Sequence, residues 1–242
     1  MGTKHELSLL QEGLRVVPAI TLSNEQLDMY KWYRDELIRW NEKFNLTAIT
    51  DPHQIESKHF LDSLTCLQVV EVSGKRVIDL GTGAGLPGLA LRIACPGMQL
   101  TLVEATGKKV DFCRHIVREL KLNDVQVIHA RAEEVGQMSE HREYYDIAVA
   151  RAVAQLPVLL EYMLPLVAIG GRAIAQKGET AHSEVQQSTK ALGVLGGRVS
   201  DIQSLELPGV VEIRHLVVVD KLQATPGKYP RRPGIPARKP LM

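Results

Sequence analysis

The stretch Val77-Ile78-Asp79-Leu80-Gly81-Thr82-Gly83-Ala84-Gly85-Leu86-Pro87-Gly88 holds the residues best suited to grip a ligand. Val77, Ile78 and Leu80 form the short apolar run of a buried parallel strand. An acid, Asp79, precedes three glycines at alternate positions, Gly81, Gly83 and Gly85, and Pro87 then opens a helix. Lacking a Cβ, these glycines let the backbone turn sharply and come within contact distance of a ligand. Exposed amides where a helix starts favour an anionic group. Gly83-x-Gly85-x-x-Gly88 satisfies the dinucleotide fingerprint, but in that motif the first glycine ends the strand. Here Gly83 lies two residues beyond Gly81, so the register argues against a dinucleotide.

An acid before three alternating glycines resembles the loop of S-adenosylmethionine-dependent methyltransferases, and the neighbouring strand ends suit that ligand. In a doubly wound sheet ligands bind beyond the carboxyl ends of the strands, at the topological switch point. Glu104 closes the apolar run 100–103 about 20 residues past the loop, where a carboxylate accepts both ribose hydroxyls. Ala105 and Thr106 follow it at the same edge. Ala132 and Glu133 open the turn after a third strand, offering a backbone amide and an acidic side chain to an adenine. A fourth strand ends in Ala150-Arg151-Ala152 and a fifth in Gln176-Lys177-Gly178, which puts Arg151 and Lys177 where the acceptor should sit.

The residues that are missing narrow the reaction. The fourth strand lacks the Asn/Asp-Pro-Pro-Tyr/Phe signature used on exocyclic amines. There is no Pro-Cys to attack a pyrimidine, Cys95-Pro96 being in the reverse order. A target with an exposed lone pair needs alignment rather than a general base. Guanine N7 is such a target, and the O6/N7 edge is the commonest partner of a bidentate arginine.

The elements that must position these residues follow from periodicity. Ser23 and Gln26 make a capping box, behind which Leu27, Tyr30, Tyr33, Leu37, Trp40 and Phe44 fall on one face of a helix. Both tryptophans lie on it, and an aromatic stripe at this spacing reads as core before base stacking. Asp51-Pro52 start a second helix, expected to reach about residue 70, on which Lys58, His59 and Asp62 share a face. Residues 1–22 show only weak periodicity. From residue 75 strands are expected at 76–80, 99–103, 125–130, 145–150 and 171–176. Helices are expected at 87–95, 107–121, 133–138, 156–168 and 180–192. This alternation means a mostly parallel sheet covered on both faces. Strands at 198–206 and 211–219 around Leu207-Pro208-Gly209-Val210 would close it as an antiparallel hairpin.

Net charge is +1 and the segment 225–242 alone carries five cations and no acid, so the other 224 residues net to −4. Global basicity therefore does not advertise nucleic acid. That segment, with five of the twelve prolines, either packs across the surface or is a flexible basic arm. Three cysteines without a C-x-x-C fit a reducing compartment and no structural metal. With no signal peptide or membrane-length apolar run, a cytoplasmic protein is expected.

Asn45-Leu46-Thr47, His59-x-Leu61-Asp62-Ser63, the glycine loop through Gly88, Gly107-Lys108-Lys109, Ala150-Arg151-Ala152 and Lys177-Gly178 occur in this order. Together they resemble the bacterial 16S ribosomal RNA guanine-N7 methyltransferases, also known as the glucose-inhibited division protein B family. The resemblance runs from about residue 25 to 240. It implies a Rossmann-like class I methyltransferase sheet (75–222) with an N-terminal helical extension (1–74) packed on it and a basic Pro-rich tail (223–242). It further implies use of S-adenosylmethionine to methylate N7 of a guanine, with 16S rRNA or the small ribosomal subunit as partner; a monomer without metal is expected. Cofactor contacts are then expected from Asp79, Gly81, Gly83, Gly85, Leu86, Glu104, Ala105, Thr106, Ala132, Glu133 and Arg151, with Arg151 and Lys177 at the acceptor. Glu104 stands where the family often has Asp, and Leu86 where it often has Phe. A NAD-dependent oxidoreductase and a cofactor-holding ribosome-binding factor without catalysis are the alternatives.

Overall fold

The computed structural model describes residues 7–15 and 20–242, so part of the weakly periodic 1–22 stretch lies outside the described residues. From residue 76 the chain forms seven strands: β1 (Arg76–Leu80), β2 (Gln99–Glu104), β3 (Val125–His129), β4 (Tyr145–Arg151), β5 (Val167–Lys177), β6 (Gly197–Leu205) and β7 (Arg214–Lys221). They assemble in the order β3-β2-β1-β4-β5-β7-β6. The first five run parallel, and β7 is antiparallel to both β5 and β6. The strand order reverses between β1 and β4, so their carboxyl ends, Leu80 and Arg151, flank the switch point.

Alternate side chains of each strand point to opposite faces, and the two faces have separate cores. Val77, Leu100, Leu102, Ile147, Val149 and Ile174 pack under the N-terminal helices. Ile78, Leu80, Val103, Ala148, Ala150 and Val217 pack under the Leu156–Met163 helix. Burial on both faces is why β1 reads as a nearly continuous apolar run.

The Asn24–Phe44 helix begins at the expected capping box: Ser23 Oγ accepts from Gln26 N at 3.2 Å, and Gln26 Oε1 accepts from Ser23 N at 2.8 Å. Tyr30, Tyr33 and Leu37 are fully buried. Trp32 and Trp40 are half-buried at the core's edge, with Trp40 against Phe112 and His115, so the aromatic stripe is core. The helix stops at Asn45, which adopts a left-handed φ of 48°. The second helix starts as expected, with Asp51 Oδ1 accepting from Gln54 N at 2.9 Å. It differs in its middle and its end. Pro52–Ile55 widens into a π-helical stretch, Glu56–Leu61, before Asp62–Leu64, and a 3₁₀ turn at Thr65–Gln68 ends it short of residue 70.

Other differences are smaller. The expected 156–168 helix ends at Met163, because residue 167 already begins a longer β5. The 180–192 helix is two, Ala181–Gln187 and Thr189–Leu195, meeting at Ser188, whose hydroxyl donates to Glu184 O at 2.7 Å. The closing hairpin is present, but β7 starts at Arg214 rather than 211. Of the two fates open to the 225–242 segment, the structure shows the packed one. Tyr229 and Leu241 are buried in the second core, and Arg231 clasps the fully buried Glu161.

Candidate active site

The glycine loop leaves β1 in left-handed turns: Gly81, Gly83 and Gly85 have φ of 63°, 61° and 90°, conformations that side-chain-bearing residues rarely adopt. Asp79 is the loop's internal anchor. Its Oδ2 accepts from Thr82 Oγ1 at 2.5 Å and from Gly88 N at 2.8 Å, while Oδ1 is buried without a partner. Burial pushes the Asp79 carboxyl up to about 6 despite those two hydrogen bonds. Tyr33 OH donates to Ala84 O at 2.5 Å, which ties the N-terminal helix to the loop. Leu86 is buried and packs into the first core.

Glu104 ends β2 facing the loop. Its Oε2 accepts from Gly83 N at 2.9 Å and its Oε1 from Thr106 N at 2.8 Å. Each oxygen keeps a lone pair for a hydroxyl, in a carboxylate held by two elements. Ala105 and Thr106 are exposed at the same edge. Past β3, Ala132 is half-buried, whereas the Glu133 carboxylate turns away to accept from Gly234 N at 2.9 Å. The acidic side chain expected at an adenine is therefore occupied by the tail.

Arg151, at the end of β4, is gripped by the second helix. Its Nη1 donates to Asp62 Oδ2 at 2.7 Å, Lys58 O at 3.1 Å and His59 O at 3.3 Å. The arginine thus meets two main-chain carbonyls of the π-helical Glu56–Leu61 stretch. His59, 9 % exposed, meets Thr47 Oγ1 through Nε2 at 2.9 Å. Burial and then the Arg151 charge push its imidazole down to about 3, so it is neutral. Lys177 lines the same cleft as Arg151, and its ammonium is bound to Glu184 Oε2 at 2.7 Å and Ala154 O at 2.6 Å.

Lys58, His59, Asp62, Arg151 and Lys177 line one cleft of about 370 Å³ at the carboxyl ends of β4 and β5, which the glycine loop, Glu104 and Ala132 do not line. It holds the cations Lys58, Arg151, Lys177 and Arg214 against the carboxylates Asp62 and Glu184, an excess of positive charge suited to a phosphate chain. Sequence reasoning singled out Arg151 and Lys177 and put Lys58, His59 and Asp62 on one helix face, but it found neither Glu184 nor Arg214. Glu184 Oε2 also accepts from Leu156 N at 2.6 Å. The contacts of Asp62 with Arg151 and of Glu184 with Leu156 join residues 89 and 28 apart in sequence and leave no local signal. Larger clefts, such as that of about 620 Å³ between Arg76 and Tyr144, lie at the opposite, amino ends of the strands, away from the switch point.

The sheet order, the antiparallel β7 and the Asp79 loop define the class of S-adenosylmethionine-dependent methyltransferases with a Rossmann-like fold. Among solved structures, TrmN from Thermus thermophilus is similar with a TM-score of 0.53 at 18% identity, over 67% of this chain and 48% of that one. A mutant of the 16S rRNA (adenine(1408)-N(1))-methyltransferase from Catenulisporales acidiphilia, with cosubstrate SAM, is similar with a TM-score of 0.51 at 15% identity, over 63% and 87%. Within that class the chain belongs to the GidB family, rRNA small subunit methyltransferase G, whose model matches residues 26–217. Ribosomal RNA small subunit methyltransferase G of Desulfitobacterium hafniense (strain Y51) is 47% identical over 92% of each chain. The protein of the same name from Roseiflexus castenholzii is 47% identical over 96% of this chain and 100% of its own.

Among the described residues no helix is long and apolar enough to cross a membrane, and no cluster of three metal-ligating side chains occurs.

Proposed function

We propose that this chain transfers a methyl group from S-adenosylmethionine to N7 of a guanine in 16S rRNA. The residues fit the cofactor. Gly83 offers an open cradle, where an added Cβ would meet nothing nearer than Gly81 O at 4.0 Å. Asp79 Oδ1 is an orphaned acceptor beside that loop, and Glu104 has lone pairs to spare for a ribose. Gly81, Gly83, Gly85, Leu86 and Arg151 would hold the amino-acid end, Glu104, Ala105 and Thr106 the ribose, and the backbone of Ala132 and Glu133 the adenine end. When bound, the cofactor supplies an electrophilic methyl group on a sulfonium.

The observation that carries N7 is that both carboxylates lining the cleft are paired with cations. Asp62 is bound to Arg151 and Glu184 to Lys177. Burial alone would raise the Glu184 carboxyl, but the bonds from Lys177, Thr180 and Leu156 N hold it below its ordinary value. His59 is a neutral imidazole of low basicity. An amine or hydroxyl target would need a base, whereas N7 presents a lone pair and needs only alignment. Arg151 is fixed by three oxygens through Nη1, and its Nη2, 3.5 Å from His59 Nδ1, has a further N–H for the cofactor carboxylate, a phosphate or guanine O6. Asp62 beside it supplies negative charge near the cationic product.

Arg151→Lys retains the charge but loses the planar fork and should lower the methyl-transfer rate by about tenfold or more. In single turnovers followed by nucleoside mass spectrometry, the product should be 7-methylguanosine. Its rate of formation should be flat between about pH 7 and 9, because no side chain is deprotonated. A rate climbing tenfold per pH unit, or a methylated amine as product, would remove N7 as the target.

A further inference from the structure

The segment after β7 is fastened along its length to the turn that follows β3. Thr225 N donates to Glu143 Oε1 at 2.7 Å, and Thr225 Oγ1 bonds the buried Lys221 ammonium. Arg142 donates to the carbonyls of Thr225 and Tyr229, each at 2.7 Å, and to Gly136 O at 3.0 Å. Gln137 Nε2 donates to Pro230 O at 2.6 Å. Both oxygens of Glu161 accept from the Arg231 guanidinium, and Oε1 also takes the Arg231 backbone N–H at 2.8 Å. The last fastening is the bond from Gly234 N to the 5 %-exposed Glu133.

Only four residues, Ala132–Val135, form the helical turn that carries Glu133. So short a helix has no stability of its own, and its placement is set by what holds it. Inside the turn, Arg131 N donates to Glu134 Oε2 at 2.9 Å. From outside, the tail and the Tyr162 hydroxyl meet Glu133 at one end of the turn, and the tail meets Gly136 and Gln137 at the other. Gly136 abuts the tail so closely that an added Cβ would lie 2.7 Å from Pro230 Cγ.

We propose that tail residues 225–234 are a structural wall of the cofactor site, acting through Glu133 as a positioning residue that fixes the Ala132 backbone against the adenine. This rests on the reading above that Ala132–Glu133 meet the adenine end. It gives Glu133 a different task from direct contact: its carboxylate faces the tail, and its effect on the cofactor is transmitted through the backbone it carries.

The test is calorimetry with S-adenosylmethionine on full-length variants without RNA, alongside amide exchange and thermal unfolding. Glu133→Leu removes the acceptor of Gly234 N. Glu161→Gln with Arg231→Gln unlatches the tail far from the ligand while leaving the buried site neutral. Each should weaken cofactor binding by about tenfold, the scale of one missing hydrogen bond to a charged group, and their combination should be less than additive. Glu133→Gln keeps an acceptor and should bind within about twofold of the parent. Ala132→Pro tests the underlying reading by itself. It deletes one N–H at a first-turn position that accepts proline, after Arg131, whose φ of −79° and ψ of 148° suit a pre-proline residue. It too should weaken binding.

If Ala132→Pro weakens binding while the unlatched protein, with its tail amides exchanging freely, binds as the parent does, the tail is mere packing and the inference is overturned. If Ala132→Pro binds normally, the adenine reading fails and the inference falls with it. Should the unlatched double variant not fold, Glu133→Leu against Glu133→Gln decides alone: equal affinity for the two overturns the proposal.

Discussion

Burial governs the chemistry of Asp79. Its carboxyl sits near 6, above the ordinary 3.8, because water is excluded and Oδ1 has no partner. Between those two values the folded protein binds more protons than the unfolded chain. The stability this group gives is therefore present below about pH 4 and lost as pH rises through about 6. A shift of that size corresponds to something on the order of 3 kcal/mol. Asp79→Asn removes the titration, so urea unfolding of variant and parent should show their difference moving in favour of Asn from pH 4 to about 6.5 and staying level above. A pH-independent difference would mean that Asp79 titrates normally in the fold. Asp79, the glycines and Glu104 were legible in the sequence because each lies at or just beyond the end of its strand, so local order predicts position. The Asp62–Arg151 pair was not, since 89 residues separate partners that only the tertiary fold brings together.

Among elements, the Gly88–Ala94 helix shows how close approach differs from an open cradle. A Cβ on Gly88 would lie 2.6 Å from Leu102 Cδ2 and 2.8 Å from Asp79 Oδ2, so the helix rides directly on β1 and β2. Gly88→Ala should cost about 1–3 kcal/mol of stability, as overpacking does, and disturb the Asp79 anchor. Gly83→Ala adds a Cβ into open space, at a φ of 61°. Its cost to the fold should be about 1–2 kcal/mol, that of a left-handed residue, yet it should lose most cofactor affinity because the ligand must pass there. Denaturation and calorimetry on both variants separate the two roles, and normal cofactor binding by Gly83→Ala would show that the loop does not approach the ligand. Strand–helix alternation made the sheet legible element by element. The π-helical stretch at Glu56–Leu61 was not legible. Its apolar spacing is that of an ordinary helix, and the arginine that uses its carbonyls comes from β4. Likewise, the break at Ser188 depends on a hydroxyl bonded back to Glu184, in a segment whose spacing also reads as one helix.

At the scale of the whole molecule, charge is distributed by the fold rather than by net composition. With Arg231 committed to Glu161, the tail presents Lys228, Arg232, Arg238 and Lys239 as exposed cations on a segment packed against the domain. The composition of 225–242 announced the charge and left its conformation open. What fixes it are Glu133, Arg142, Glu143 and Glu161, residues scattered over the preceding domain. Held in place, these cations give up little conformational freedom on meeting a phosphate chain, so each keeps more of its electrostatic gain. Truncation would also undo the fastening at Glu133, so the cleaner variant is Arg232→Gln, Arg238→Gln and Lys239→Gln together, with Arg231 retained. Its affinity for S-adenosylmethionine should match the parent's. Its affinity for 16S rRNA should fall uniformly across sequences, and the slope of log affinity against log salt should flatten by roughly 0.7–0.9 for each phosphate no longer neutralised. An unchanged salt slope would mean that RNA does not touch this face and that the tail serves the fold and the cofactor site alone.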